Sequence, residues 1–102
     1  MDASHVENDL VNVLFTEEQI QQRLRELAAE IEADYEGKDL LIVGILRGAV
    51  MVMADLARSF SRHLEMDWMA VSSYGSGTKS SGVVRILKDL DTDISGRHVI
   101  IV

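Results

Sequence analysis

The sequence predicts an α/β fold with a largely parallel sheet flanked by helices. Three observations carry that prediction. Apolar residues recur at helical spacing in two segments, "LLIVGIL" and "HVIIV" are nearly uninterrupted β-branched runs of the kind found in covered strands, and strands and helices alternate in the first two-thirds of the chain. The expected order is strand, helix, strand, helix, strand, strand, strand.

After a polar tail, the short apolar stretch "LVNVLFT" heads that order as a strand. Thr16 then opens a helix with Gln19 three residues on, a capping box in which each side chain takes up a free backbone N–H. Ile20, Leu24, Leu27, Ala28, Ile31 and Tyr35 follow at helical spacing, and Gly37 stands in the stop position, so the first helix is expected over residues 17–35. A strand is expected over 40–46. The stretch "AVMVMADLARSFSRHL" reads as a second helix, with Ala49, Val52, Met53, Leu56 and Phe60 on its buried stripe and Asp55, Arg58 and Arg62 opposite, beside Met51. His63 falls near its end, where a histidine interacts favourably with the helix dipole. "MDWMAVSSY", "VVRILKDL" and "RHVIIV" read as three further strands. A covered strand at 99–102 calls for a following loop and crossover helix, so the sequence reads as one that stops short.

At 102 residues the chain is one domain or part of one, and 47% hydrophobic residues suffice for a core. Seventeen acidic against ten basic residues give a net charge of -7, which argues against nucleic acid as a partner. An anionic small ligand needs local help from backbone N–H groups, a few cations or a metal ion. No apolar run is long enough for a membrane helix and the N-terminus lacks the pattern of a signal peptide, so a cytoplasmic protein is expected. The absence of cysteine excludes disulfides and thiolate metal sites. Proline is absent too, so any cis peptide bond must be a non-proline one.

Arg47 is the only charged residue among the fifteen from Leu40 to Ala54. It stands where a core strand ends and a helix begins, the place where open α/β sheets bind ligands. Gly48 permits close approach of the backbone, and the first turn of the next helix offers N–H groups to an anion. Two readings of this feature alone are equally good: a guide for phosphate or pyrophosphate, or an arginine that points to water.

The loop "SSYGSGTKSSG" is not a Walker P-loop, because Thr78 precedes Lys79 where glycine is required and a β-rich run follows in place of a helix. It fits a lid rooted at Ser73 and Tyr74, hinged on glycines such as Gly75, with Lys79 able to reach an anion; an ordinary solvated hairpin loop fits equally. "DLDTDI" imitates a calcium loop at Asp89, Asp91 and Asp93, but Ile94 and Ile100 occupy the positions that need glycine and glutamate. His5, His63 and His98 have no metal-ligand spacing. Met51 on a polar helix face is better read as a single exposed apolar residue than as a subunit contact.

Taken together, "VGILRGAVMVMADL", "VSSYGSGTKSSGVVRILKDLDTDISGRHVIIV" and the leading "VLFTEEQIQQRLRELAAEI" closely resemble bacterial hypoxanthine-guanine phosphoribosyltransferases of the type I phosphoribosyltransferase family. Three segments match in order and spacing over nearly the whole chain. The resemblance implies purine salvage by transfer of 5-phosphoribosyl from phosphoribosyl pyrophosphate (PRPP) to hypoxanthine or guanine, with Mg2+. It implies that residues 1–102 are the N-terminal part of a single phosphoribosyltransferase domain. It implies that Leu46, Arg47 and Gly48 bind pyrophosphate through backbone amides, around a non-proline cis peptide at Leu46–Arg47, and that Ser73, Tyr74, Gly75 and Lys79 belong to a flexible lid. The family's paired acidic residues, general base, ribose 5-phosphate cradle and purine pocket match no residue up to Val102, so no catalytic or metal-binding residue is expected within the chain. A dimer or tetramer is the family's usual assembly. The readings from other classes are a short, non-catalytic binding or assembly domain derived from such an enzyme, and a relative with another base preference.

Overall fold

The structure is a computed structural model that describes residues 3–73 and 83–102. The elements in chain order are a short 3-10 helix (Ala3–Asp9), α1 (Glu17–Asp34), β1 (Leu40–Leu46), α2 (Val50–Ser59), β2 (Glu65–Ser73), β3 (Val84–Lys88) and β4 (His98–Ile101). The strands form one sheet in the order β3-β2-β1-β4, with β1 parallel to both β2 and β4 and β3 antiparallel to β2. The predicted α/β class with a largely parallel sheet is therefore the observed one.

α1 begins as its capping box requires: the Gln19 amide donates to the Thr16 hydroxyl oxygen at 3.2 Å, and the Thr16 amide donates to the Gln19 side-chain oxygen at 2.8 Å. It ends at Asp34, with Tyr35 as its C-cap and Gly37 at φ 72°, a left-handed turn that glycine adopts without steric cost. The carbonyls at that end are taken up from a distance, because the Arg62 guanidinium donates to Tyr35 O and Lys38 O.

Alternation along β1 splits the core into two faces. Leu40 and Ile42 pack with Met53 of α2 and with Ile31 and Tyr35 at the end of α1, while Leu24 and Ala28 of α1 meet Leu56 of α2. Leu41 and Val43 are equally buried on the opposite face. There the connection between β3 and β4 is drawn in by Asp67, the register partner of Val43, whose carboxylate accepts from the Asp91 and Thr92 amides. Burial on both faces is why the β1 sequence is apolar throughout.

Three expectations are corrected. The stretch "LVNVLFT" is not a strand: residues 10–16 pair with no other strand, and Leu10, Val11, Val13, Leu14 and Phe15 are exposed. Val13 and Phe15 line a groove with residues of α1 and α2, on the helical layer and away from the sheet edges where a strand could add. The second helix stops at Ser59, short of His63, which is exposed beyond its end and so does not cap it. Phe60 turns to an extended conformation and its ring joins both core clusters, while the Ser59 hydroxyl donates back to Asp55 O. Val52 is 46% exposed, since α2 is buried against both the sheet and α1 and its covered stripe narrows to Met53, Leu56 and Phe60; Ile20 on α1 is likewise exposed. The expected last strand is present as β4, parallel to β1 from Leu40–His98 to Val43–Ile101.

Candidate functional site

The carboxyl ends of the parallel strands β1, β2 and β4 share one edge of the sheet, and Arg47 lies there. Residues 47–49 form the turn between Leu46 and α2, and the Leu46–Arg47 peptide bond is cis, as the resemblance implies. Arg47 and Gly48 are exposed. Ala49 donates to Ile45 O and Val50 to Arg47 O, whereas among the described residues no carbonyl accepts from the amides of Arg47 or Gly48. A Cβ on Gly48 would meet nothing within 4 Å among the described residues, which leave the space over this turn open. The Arg47 guanidinium makes no ion pair among the described residues. Two free amides, an open approach and an unneutralised cation at the start of a helix make a place for an anion of high charge density.

β2 overhangs this turn. Its pairing with β1 ends at Leu46 and Ala70, and β2 runs three residues further to Ser73, roughly 10 Å beyond. Ser73 pairs with Val84 and is exposed at the root of the β2-β3 hairpin. One extra residue on β3, Leu87, is accommodated between the Ala70–Lys88 and Val71–Ile86 pairs. Tyr74, Gly75 and Lys79, the other residues assigned to a lid, lie outside the described residues.

Asp67, at the start of the apolar run of β2 and two residues after Glu65, is a residue that the sequence reading passes over. It is 5% exposed and accepts from the amides of Trp68, Asp91 and Thr92 at 2.8 to 3.0 Å, with Lys88 Nζ 3.9 Å away. The Trp68 amide, ahead of the opposing effect of burial, holds its carboxyl below the usual aspartate range. The "DLDTDI" stretch is thus organised by a carboxylate from β2. Among the described residues no group of three or more His, Cys, Asp or Glu side chains could hold a metal.

At the amino ends of the strands Arg97 sits between Glu65 and Asp39, with Nη2 2.8 Å from Glu65 and 2.9 Å from Asp39. Its Nε lies 2.9 Å from the other Asp39 oxygen, too poorly aimed to count as a hydrogen bond. The hydrogen bond to Glu65, followed by that to Asp39, strengthens the guanidinium's hold on its proton.

Behind the turn lies a contact that no single position announces. Gly44 is paired in register with Trp68, and a Cβ on Gly44 would fall 2.6 Å from the Trp68 ring and 3.4 Å from Met53 Cγ. Only glycine fits. Spacing hides this pairing, because it depends on which residue of β2 comes to lie beside Gly44.

A sheet of this order, with an anion-ready turn after its first strand, belongs to a known class of protein. The chain is a member of the phosphoribosyl transferase domain family, whose model matches residues 12–102. Within that family it is similar to hypoxanthine-guanine phosphoribosyltransferases. It is 52% identical over 97 residues to the one from Streptococcus agalactiae, covering 95% of this chain and 54% of that protein. To the one from Mycobacterium bovis it is 54% identical over 100 residues, covering 92% and 50%. A crystal structure of a hypoxanthine phosphoribosyltransferase from Staphylococcus aureus superposes with a TM-score of 0.87 at 48% identity, covering 95% of this chain and 53% of that one. The chain therefore spans about half the length of these relatives. The kinship expected from the motifs is borne out, and with it the type I phosphoribosyltransferase fold.

Proposed function

We propose that the chain serves purine salvage as the N-terminal portion of a hypoxanthine-guanine phosphoribosyltransferase, with Leu46, Arg47 and Gly48 gripping the pyrophosphate of PRPP. The observation that supports this is the turn itself, whose two amides and one cation have no partner among the described residues. In the reaction the bond between ribose C1 and the pyrophosphate oxygen breaks, its electron pair leaves with pyrophosphate, and a new bond forms from C1 to purine N9. Negative charge builds on the leaving group in the transition state, and fixed N–H dipoles aimed at that place stabilise it without having to reorganise. Ser73, with Tyr74, Gly75 and Lys79, supplies the lid that excludes water from the carbocation-like ribose. The proton released from N9 goes to a base outside residues 1–102, as do the contacts to the ribose 5-phosphate and to the purine.

The described residues hold no carboxylate cluster for Mg2+. In this reading the ion comes as a companion of the substrate, carried on the phosphates of PRPP. No helix among the described residues is long and apolar enough to cross a membrane. The enzyme this reading describes is cytoplasmic and oligomeric.

Calorimetry with inorganic pyrophosphate and MgCl2 tests the proposal. Arg47→Ala is expected to weaken binding about tenfold, the size of one lost charge-assisted hydrogen bond, and to leave the melting temperature unchanged. Equal affinity in the variant would remove Arg47 from the site. The protein extended to its relatives' length is expected to form IMP from PRPP and hypoxanthine; pyrophosphate binding without synthesis there would point to a binding module.

A further inference from the structure

Resting on the pyrophosphate reading, we infer that Trp68 is a positioning residue for the 47–49 turn, setting its place through Gly44 and Met53. The Trp68 ring occupies the room left by the missing side chain of Gly44, three residues before the turn. Met53 Cγ closes on the same spot from the helix side, and Met53 is 1% exposed. Its amide donates to Ala49 O at 2.8 Å, so the residue wedged against Gly44 also closes the first turn of α2. Turn, helix start and indole form one packed unit, and a close-packed interior transmits a displacement of any member to the others.

Trp68 is itself fixed from both sides. Its amide donates to Asp67 Oδ1 at 2.8 Å, and its carbonyl accepts from Lys88 Nζ at 3.0 Å. Asp67 is in turn tied to the Asp91 and Thr92 amides. The rigid far side of the sheet thus reaches the anion turn through one aromatic ring. A ligand held by backbone amides depends on such support, because amides cannot adjust by changing rotamer and a misplacement of about 1 Å can cost up to 100-fold.

Trp68 is the only tryptophan of the chain, so its emission reports on this unit directly. Adding inorganic pyrophosphate with MgCl2 is expected to change Trp68 fluorescence saturably, with the dissociation constant found by calorimetry. Trp68→Leu is expected to weaken pyrophosphate binding about tenfold, with Trp68→Phe recovering most of the loss and circular dichroism unchanged. In the extended enzyme Trp68→Leu should raise KM for PRPP and leave KM for the purine base in place, a split that general loosening of the core would not produce. If Trp68→Leu does not fold, Met53→Leu, which alters the same contact from the helix side, takes its place with the same expectation. Binding by the wild type with unchanged affinity in the folded variants would overturn this inference alone. No binding by the wild type would overturn the pyrophosphate reading and this inference with it.

Discussion

Arg47 and Asp67 each set a charge against apolar residues, Arg47 alone among fifteen and Asp67 two residues after Glu65, and the molecule treats them in opposite ways. Asp67, within β2, is buried and takes three backbone amides. Arg47, at the carboxyl end of β1, is exposed, without an ion pair among the described residues, and followed by a free amide. The same contrast separates the two ends of the sheet. At the amino ends Arg97, Asp39 and Glu65 are matched to one another, while at the carboxyl end of β1 Arg47 has no ion pair among the described residues. Polar groups satisfied internally hold the fold together; groups left open contribute little to stability.

Variants that probe this contrast fall in a definite order. The largest loss is expected at Gly44→Ala, whose new methyl group meets the Trp68 ring at 2.6 Å; overpacking of this kind costs about 1–3 kcal/mol, read as a lower denaturation midpoint. An unchanged midpoint would mean that the ring moves aside freely, and the turn would lose its rigid backing. Asp67→Asn comes next. It removes an acceptor oxygen from beneath the Asp91 and Thr92 amides, and the melting temperature at neutral pH should fall. The sign with pH follows from its lowered pKa: the stability due to the carboxylate is complete above the ordinary aspartate value of 3.8 and is lost as pH falls through the still lower folded value. The gap between wild type and Asp67→Asn should therefore stay constant near neutrality and close below about pH 3.8. A gap that closed already at pH 6 would contradict the assignment.

Thr16→Ala gives a smaller and purely local effect, about 1 kcal/mol for a lost N-cap, since Thr16 and Gln19 satisfy only each other's backbone. Arg47→Ala stands last on the stability scale, with no change expected in the melting temperature, although it leads on the binding scale. A clear stability loss there would break the contrast between the two ends of the sheet, because it would mean that Arg47 has a structural partner after all.

Much of this could be read from the chain alone. The capping box, Gly37 as the helix stop, β1 at 40–46 and the turn at Leu46–Gly48 all rest on local chemistry, in which neighbours within four residues decide the outcome. The errors share a cause as well. "LVNVLFT" has strand composition, yet it lies beside the helices, and composition does not say which surface a segment meets. Asp67 carries a weaker signal than Arg47, with Glu65 two residues before it, and its partners stand 24 and 25 residues away.

The sequence by itself determined where the helices begin, which strand forms the centre, and that a glycine and an arginine follow it. Only the tertiary structure decided that Trp68 lies against Gly44, that Asp67 is paired and that Arg47 has no ion pair among the described residues. The reason is physical: capping and turns are settled by bonds between near neighbours, whereas the worth of a buried charge or an absent side chain depends on what folding brings to face it.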